Sequence, residues 1–470
     1  MSTTKAAAGS EDYRDEVMRV EPHGTERIPD EARHGKPWSV FTLWYSSNVE
    51  FTTLVTGVLA TAAFGLGFLQ ATMAIVLGNV LGALFLGLMS ARGPQLGVPQ
   101  MIQSRSSFGY FGNYVPGGLT FIAGCSWFAV NTVLGVFAME YLIHTDFLAG
   151  LIIMSAVQIL IATYGHNLIH TVERWLVVVL TAIFVMVSVY GFGHANLDAG
   201  FNAHTAGPLG FSGGFILTVA IAFSYCAGWV PYASDYTRYL PRATSQRAVF
   251  GYAASSLLVS CVWMEVLGAA VGTTRFVAVP TDLVANLMPH AAAEITMVAI
   301  ILGTITANVL NIYSGAMSSL VINIPLRRWQ AALLVGVLGT VLSWLTGRHD
   351  YYTHYENFLF LLGYWVGPWL AVMTVDLLST RRTIDPARFY DRRHAVGAGF
   401  VSWVVGLACS VPFMNQTIYV GFVAHRYPQL GDCTYFVGFV IAGLVYLLIR
   451  RRAPVSAVAG ADAVAAPGPA

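Results

Sequence analysis

The sequence predicts an all-α polytopic membrane protein with 12 transmembrane helices, and the pattern of apolar stretches is the first reason. Each stretch is long enough to cross a hydrocarbon core of about 30 Å as a helix. The stretches cover residues 42–66, 69–91, 111–138, 146–165, 174–193, 212–231, 248–272, 293–318, 329–346, 355–378, 397–416 and 431–449.

The distribution of basic residues is the second reason. If both termini lie on one side, 22 of the 25 Lys and Arg residues fall there, and only Arg275, Arg348 and Arg426 fall opposite. A wrong number of helices would scramble this alternation. Because basic residues accumulate in cytoplasmic loops, we expect cytoplasmic termini and a multi-pass protein of the plasma or inner membrane.

Composition agrees with this class and limits the domain organisation. The chain is 56% hydrophobic and only 10% charged, too little charge to cover a soluble domain of 470 residues. We expect a cytoplasmic N-terminal tail over residues 1–40, a transmembrane domain of 12 helices over 41–450 and a disordered cytoplasmic C-terminal tail over 451–470. The net charge of +1 gives no reason to expect a nucleic-acid partner.

The motifs of membrane-embedded enzymes are missing from the sequence. It contains no HExxH and no pair of Asp residues within a span. The five cysteines form no CxxC pair, so neither a disulfide framework nor a zinc site is expected. We therefore predict a protein that is not an enzyme and carries no cofactor.

Three of the apolar stretches contain runs of polar residues. The first has six polar side chains within residues 44–53, the sixth has polar and aromatic residues over 223–236, and the eighth carries several polar groups over 304–314. Polar groups in hydrocarbon are costly unless they face partners or a water-filled cavity. These segments are therefore predicted to line the interior of the bundle.

The spacing of these stretches predicts an inverted repeat. The first and sixth lie five helices apart, as do the third and eighth, and interrupted helices at matching positions indicate a binding site near the membrane midplane. Gly228 and Pro231 can interrupt the sixth stretch, because Gly tolerates unusual dihedrals and Pro removes a backbone donor. The alternative is an ordinary proline kink whose polar neighbours are satisfied by other helices.

Three segments give the chain a family resemblance. The loop over residues 93–112, the run over 228–241 and the run over 308–314 resemble nucleobase–cation symport family 1, in its purine–cytosine permease branch. The resemblance covers roughly residues 40–450. It implies a leucine-transporter-like fold of 5+5 inverted helices plus two C-terminal helices. It also implies import of a nucleobase (cytosine and/or purines), or a related small heterocycle, by cation symport.

The resemblance also assigns a substrate site. Trp127 matches the family's stacking tryptophan, and Asn131 matches a position at which relatives pair an amide with the base. The i, i+4 spacing places both on one helix face. Cys226, also an expected contact, occupies a place where several relatives carry a second aromatic residue. Either Trp229 or Tyr225 covers the ring instead, or the pocket is roomier and suits a purine. The other expected contacts are Gly228, Asn308 and Asn311.

The coupling ion is predicted to be a proton rather than Na⁺. In Na⁺-coupled relatives, carbonyls of the first helix and groups of the eighth helix hold the ion, here near Thr42, Tyr45, Gly303 and Thr306. Ala307 lacks the second hydroxyl of that site. Glu50 lies inside the first stretch, where burial favours the protonated form of a carboxyl group. The alternative is a structural carboxylate satisfied by backbone amides at the break.

Several alternatives stay open at this level. Within the family, the substrate could be of the allantoin, uracil, hydantoin or thiamine type. A major-facilitator-type carrier also has twelve helices, but it usually has a long central loop, which is short here. A membrane sensor is the non-transport alternative. The expected partners are thus a small-molecule substrate and the lipid bilayer, and the oligomeric state stays open.

Overall fold

The computed structural model describes residues 24–164, 166–274, 277–347, 350–379 and 386–452. Within these ranges the regular elements are helices, and β pairing is limited to an isolated bridge between Asn415 and Val420. Arg275, Arg348 and Arg381 lie outside the described residues, as do residues 1–23 and 453–470 of the two predicted tails. The prediction of an all-α protein is confirmed for the described part of the chain.

The main helices follow the predicted stretches. They are α1 Trp38–Ser46, α2 Phe51–Ala62, α3 Phe68–Ser90, α4 Tyr114–Ile143, α5 Phe147–Tyr164, α6 His166–His194, α7 Gly210–Ala227, α8 Ala233–Thr237, α9 Gln246–Gly272, α10 His290–Val321, α11 Arg328–Thr346, α12 Tyr351–Ser379, α13 Ala398–Ser410 and α14 Thr434–Arg452. Each apolar stretch overlaps at least one of them. Two helices, α1 and α2, overlap the first stretch, and α8 follows α7 just beyond the end of the sixth. Because α1 begins at Trp38, the first helix starts a few residues before the predicted stretch.

Length and hydropathy make the protein a multi-pass membrane protein. Within the described residues, eight helices are long and apolar enough to cross a membrane, and shorter apolar helices lie at 51–62, 147–163, 398–413 and 434–450. Many large apolar side chains on α3, α5, α6 and α11 are exposed, as expected for surfaces that face lipid.

The helices pack in two groups. Helices α2, α3, α7 and α9 contact one another, and helices α4, α5, α10 and α11 form a second set of contacts. Helices α13 and α14 pack on each other and, through α12, on the rest. The interrupted helices lie where the two groups meet, so their polar residues face the interior.

Two glycines allow α2 and α9 to touch through their backbones. A Cβ at Gly57 would lie 1.8 Å from the carbonyl oxygen of Glu265, and one at Gly268 would lie 1.8 Å from that of Leu54. Neither distance leaves room for a side chain. Small residues that permit such close approach are typical of helix contacts in membranes.

The N-terminal segment, residues 24–36, lies across one end of the bundle. The backbone N–H of Ile28 donates to Gly97 at 2.9 Å, and that of His34 donates to Tyr239 at 2.7 Å. Arg33 is buried and donates through Nε to the carbonyl of Ile28 at 3.1 Å. Burial lowers the pKa of Arg33, but its ordinary value is so high that the guanidinium stays charged. Part of the predicted tail is therefore docked.

At the same end of the bundle, two of the segments that carry the resemblance pack together. The backbone N–H of Gln100 donates to Asp235 Oδ1 at 3.0 Å, and the hydroxyl of Ser234 donates to Gln100 Oε1 at 2.9 Å. Arg105 and Arg238, which belong to the 22 basic residues assigned to the cytoplasmic side, are both buried here. Arg105 donates to backbone carbonyls of two distant segments, at Val321 and Phe389.

Candidate functional site

The first apolar stretch is interrupted between Ser46 and Phe51. The side chains of Ser47 and Asn48 donate back to carbonyls of α1, to Leu43 at 2.7 Å and to Trp44 at 2.6 Å. Such local bonds compete with the helical ladder. Glu50 is extended, with φ −142° and ψ 167°. The predicted break near Glu50 is therefore confirmed.

The sixth stretch is interrupted in the same way. Helix α7 ends at Ala227, a 3-10 turn follows at Val230–Tyr232, and α8 begins at Ala233. Pro231 has no N–H to continue the helix. The indole N–H of Trp229 donates to Asn48 Oδ1 at 2.9 Å, so the two breaks touch.

Trp127 lies against the second break among other aromatic rings. Its ring meets those of Tyr225 and Phe358 edge-to-face, with centroids 5.3 and 4.9 Å apart. A third ring, Tyr355, lies 6.4 Å away. A Cβ built on Gly228 would lie 3.2 Å from Trp127 Nε1. The structure thus brings Trp127, Tyr225 and Gly228 together around one point.

Asn131, one turn beyond Trp127, belongs to a cluster of buried amides. The hydroxyl of Thr52 donates to Asn131 Oδ1 at 2.6 Å, and Asn131 Nδ2 donates to Asn308 Oδ1 at 3.2 Å. Asn311 Nδ2 also donates to Asn308 Oδ1 at 3.2 Å. Gln158 on α5 accepts from Asn308 at 3.1 Å. The cluster joins both groups of helices beside the first break.

Glu50 is buried in the first break, next to the aromatic rings. Tyr225 lies with its hydroxyl 3.3 Å from Glu50 Oε1 and 2.6 Å from Thr53 Oγ1. Among the described residues none donates to Oε2. The backbone side of Glu50 packs on α10, since a Cβ at Gly303 would lie 3.3 Å from Glu50 Cβ. The carboxyl group has thus one oxygen paired and one unpaired.

Cys226 is not brought together with Trp127. Its thiol donates to Asn79 Oδ1 on α3 at 2.9 Å, and a Cβ at Gly82 would lie 2.3 Å from Cys226 Cβ. The side chain therefore faces α3 rather than the aromatic rings, because consecutive helical residues point about 100° apart. This placement corrects the expectation that Cys226 contacts the substrate.

The groups expected to hold Na⁺ are also not assembled as predicted. The carbonyl of Tyr45 accepts from the backbone N–H groups of Asn48 and Val49, and that of Thr42 accepts from Ser46 Oγ. Gly303 packs on Glu50 and not on these carbonyls. Because α1 ends at Ser46, the expected carbonyls belong to intact helix rather than to the break.

Other residues at the site were not predicted. Thr52 and Thr53 were noted only as polar residues of the first stretch, and Gln158, Tyr355 and Phe358 were not noted. Gln158 is a single amide in an otherwise apolar helix, which was a usable signal because such a group needs partners. The two aromatic residues of α12 gave no comparable signal, since aromatic residues are also frequent at membrane interfaces.

The comparisons with known proteins place this arrangement in a family. Residues 27–438 match the family model described as permease for cytosine/purines, uracil, thiamine, allantoin. The chain is 30% identical over 451 residues to the "Putative purine-cytosine permease YxlA" of Bacillus subtilis (strain 168), which covers 92% of this chain and 96% of that protein. It is 26% identical to the purine-cytosine permease fcyB of Emericella nidulans, covering 92% and 89%.

Solved structures show the same fold. Mhp1, a nucleobase-cation-symport-1 family transporter solved in a closed conformation with bromovinylhydantoin bound, superposes with a TM-score of 0.73. The match covers 92% of this chain and 95% of that one at 18% identity, so it bears on the fold alone. The match to the family model and the relatives settles membership: the chain is a membrane transporter, not an enzyme, and belongs to the family of permeases for cytosine/purines, uracil, thiamine and allantoin.

Proposed function

We propose that the protein imports a nucleobase, cytosine and/or a purine, or a related small heterocycle, by cation symport. The observation that carries this proposal is the position of Trp127 and Asn131, one helical turn apart, against the breaks of two helices. A flat ring with donors and acceptors on its edge needs one surface for stacking and one for hydrogen bonds. The names of the relatives support cytosine and purines as the first substrates to test.

Different residues of the proposed pocket contact the face and the edge of the substrate ring. The ring stacks on Trp127 beside Gly228, where a Cβ would lie 2.8 Å from Leu362 Cδ2 and 3.2 Å from Trp127 Nε1. The amide of Asn131 meets the edge of the ring. Asn308 Oδ1 accepts from that amide, and Asn311 donates to the same Asn308 oxygen. Tyr225 and Trp229 line the pocket from the sixth stretch.

The proposed coupling ion is a proton carried by Glu50. Thr53 uses its hydroxyl hydrogen on the carbonyl of Asn48 at 2.8 Å, so the single hydrogen of Tyr225 is shared between Thr53 and Glu50. A protonated Glu50 can donate to the Tyr225 oxygen, and the Tyr225 hydroxyl hydrogen then bonds to Thr53. An ionised Glu50 instead accepts the Tyr225 hydrogen, which breaks its bond to Thr53. Protonation is thereby linked to contacts across the two breaks.

The finer architecture is part of the same proposal. We assign twelve transmembrane helices as a 5+5 inverted repeat plus α13 and α14, with alternating access around the midplane site. Residues 1–40 form a cytoplasmic tail, 41–450 the transporter domain and 451–470 a second cytoplasmic tail. The basic-residue bias supports cytoplasmic termini in a plasma or inner membrane.

Uptake into membrane vesicles tests the proposal directly. We expect vesicles that contain the protein to accumulate radiolabelled cytosine or adenine above vesicles without it. A competition panel of hypoxanthine, uracil, allantoin, hydantoin, thiamine and pyridoxine then ranks the alternative substrates. Pyridoxine is included because a vitamin B6 transporter is also a relative. Binding of a base without uptake would favour a sensor, and neither binding nor uptake would overturn the proposal.

A further inference from the structure

The carbonyl oxygen of Phe128 determines how the Asn308 side chain is turned. A carbonyl oxygen only accepts hydrogen bonds, so the atom that faces it at 3.0 Å must be Asn308 Nδ2. The oxygen of that amide therefore points the other way, toward Asn131 and Asn311. A backbone carbonyl cannot become a donor, so this contact favours one orientation of the Asn308 amide. The same nitrogen also donates to Thr132 Oγ1 at 2.9 Å, a hydroxyl that can either accept or donate.

Gln158 supports the same orientation from α5. Its Oε1 accepts from Asn308 Nδ2 at 3.1 Å and from the hydroxyl of Thr132 at 2.9 Å. Gln158 is fully buried, and within the described residues its Nε2 has no partner. The residue thus presents only its oxygen to the amide cluster.

The orientation of the Asn308 amide in turn sets the orientation of the Asn131 amide. Asn308 Oδ1 accepts from Asn131 Nδ2, so Asn131 Oδ1 is turned toward the first break, where Thr52 donates to it. An amide oxygen can accept two hydrogen bonds. One acceptor position of Asn131 therefore stays available on the side where the proposed pocket lies.

We propose that Gln158 is a positioning residue for substrate selection. By orienting the Asn308 amide, it orients the Asn131 amide so that Asn131 presents its oxygen to the substrate. The transporter then prefers rings with an amino group at that position over rings with a carbonyl group there. This inference rests on the proposed function. It names the selected substrates as amino-substituted bases, since an amide oxygen opposite a carbonyl oxygen leaves both unpaired.

Matched pairs of bases and variants test this inference. Cytosine and adenine carry an amino group where uracil and hypoxanthine carry a carbonyl. In Gln158→Leu, the hydroxyl of Thr132 loses its acceptor and can donate to Asn308, which opposes the orientation that Phe128 favours. Gln158→Glu is the matched control because it keeps an oxygen at the same place.

The measured quantity is the ratio of inhibition constants within each amino/carbonyl pair, taken from competition for uptake. We expect wild type to favour the amino base by about tenfold or more, Gln158→Leu to lose about tenfold of that preference, and Gln158→Glu to retain most of it. Size-exclusion profiles identify any variant that fails to fold. A wild-type preference for the carbonyl base, an unchanged ratio in Gln158→Leu, or equal loss in both variants would overturn the inference. Uptake of none of the four bases would overturn this inference, whereas the proposed function falls only if no compound of the competition panel is taken up either.

Discussion

The indole N–H of Trp229 donates to Asn48 Oδ1 over 2.9 Å, and this bond joins the interruptions of two different helices. The other end of the same amide donates to the carbonyl of Trp44. The rings of Trp44 and Trp229 also pack edge-to-face, with centroids 5.4 Å apart. This hydrogen bond and this aromatic contact therefore help to hold the breaks of the first and sixth stretches together.

Removing this bond is expected to impair transport. Trp229→Phe leaves the oxygen of Asn48 without its donor, and an unpaired buried polar atom costs about 1–3 kcal/mol. We expect uptake to fall roughly tenfold in proteoliposomes. Trp263→Phe is the control, because Trp263 also donates through its indole, to Ser188 away from the breaks. Equal losses in both variants would argue against a special role for the Asn48–Trp229 bond.

The pocket assignment predicts a loss of affinity. Trp127→Ala and Asn131→Ala should each weaken the apparent affinity for substrate by roughly tenfold or more, through lost stacking and lost hydrogen bonding. Asn131→Ala should also alter base preference. Trp329→Ala removes a tryptophan that is 42% exposed at the start of α11 and should leave affinity unchanged. Wild-type uptake constants in both pocket variants would refute the assignment.

Proton coupling predicts a separation of exchange from accumulation. A proton moved down 100 mV supplies about 2.3 kcal/mol, so uptake should continue in Na⁺-free choline buffer and fall when a protonophore is added. Glu50→Gln should exchange substrate but not concentrate it. Glu265→Gln is the control: Glu265 is a second buried carboxyl group, paired with Asn79 at 2.7 Å. Na⁺-dependent uptake together with accumulation by Glu50→Gln would show that the proton assignment is wrong.

The backbone contact between α2 and α9 predicts different outcomes for two glycines of one helix. Gly268→Ala forces a methyl group against the carbonyl of Leu54 and should lower the melting temperature or the folded yield. Gly251→Ala meets open space and should be neutral or stabilise by about 0.5–1 kcal/mol. Thermal unfolding monitored by fluorescence compares the two. Equal stability of both variants would contradict the close contact.

The predicted orientation can be checked with two exposed arginines. Arg426 should face outward and Arg242, whose side chain is 66% exposed, should face the cytoplasm. We expect an impermeant thiol reagent to label Arg426→Cys but not Arg242→Cys in intact cells, in a background with Cys409 and Cys433 changed to Ser. In permeabilised cells the reagent should label both variants. Arg105 and Arg238 are unsuitable sites because they are buried. The reverse pattern would invert the topology.

What the sequence could predict depended on local chemistry. The break of the sixth stretch follows from Pro231, and the break of the first stretch from residues such as Asn48 that bond back to their own helix. The direction of Cys226 depends instead on which helix packs against it, and Gly82 on α3 supplies that contact. Gln158 acquires its partners only when α5 is placed beside α10. Pairings between distant helices therefore had to come from the structure.

The contact between Gly24 and Arg238 has a consequence for the order in which the protein is made. The backbone carbonyl of Gly24 accepts from Arg238 across 214 residues of chain. At a synthesis rate of about 5–20 residues per second, the arginine emerges roughly 10–40 s after the glycine. The segment at the start of the described chain must therefore wait, undocked, until the sixth stretch has entered the membrane. This segment is translated before α1 but reaches its place only after α7 and α8 have been made.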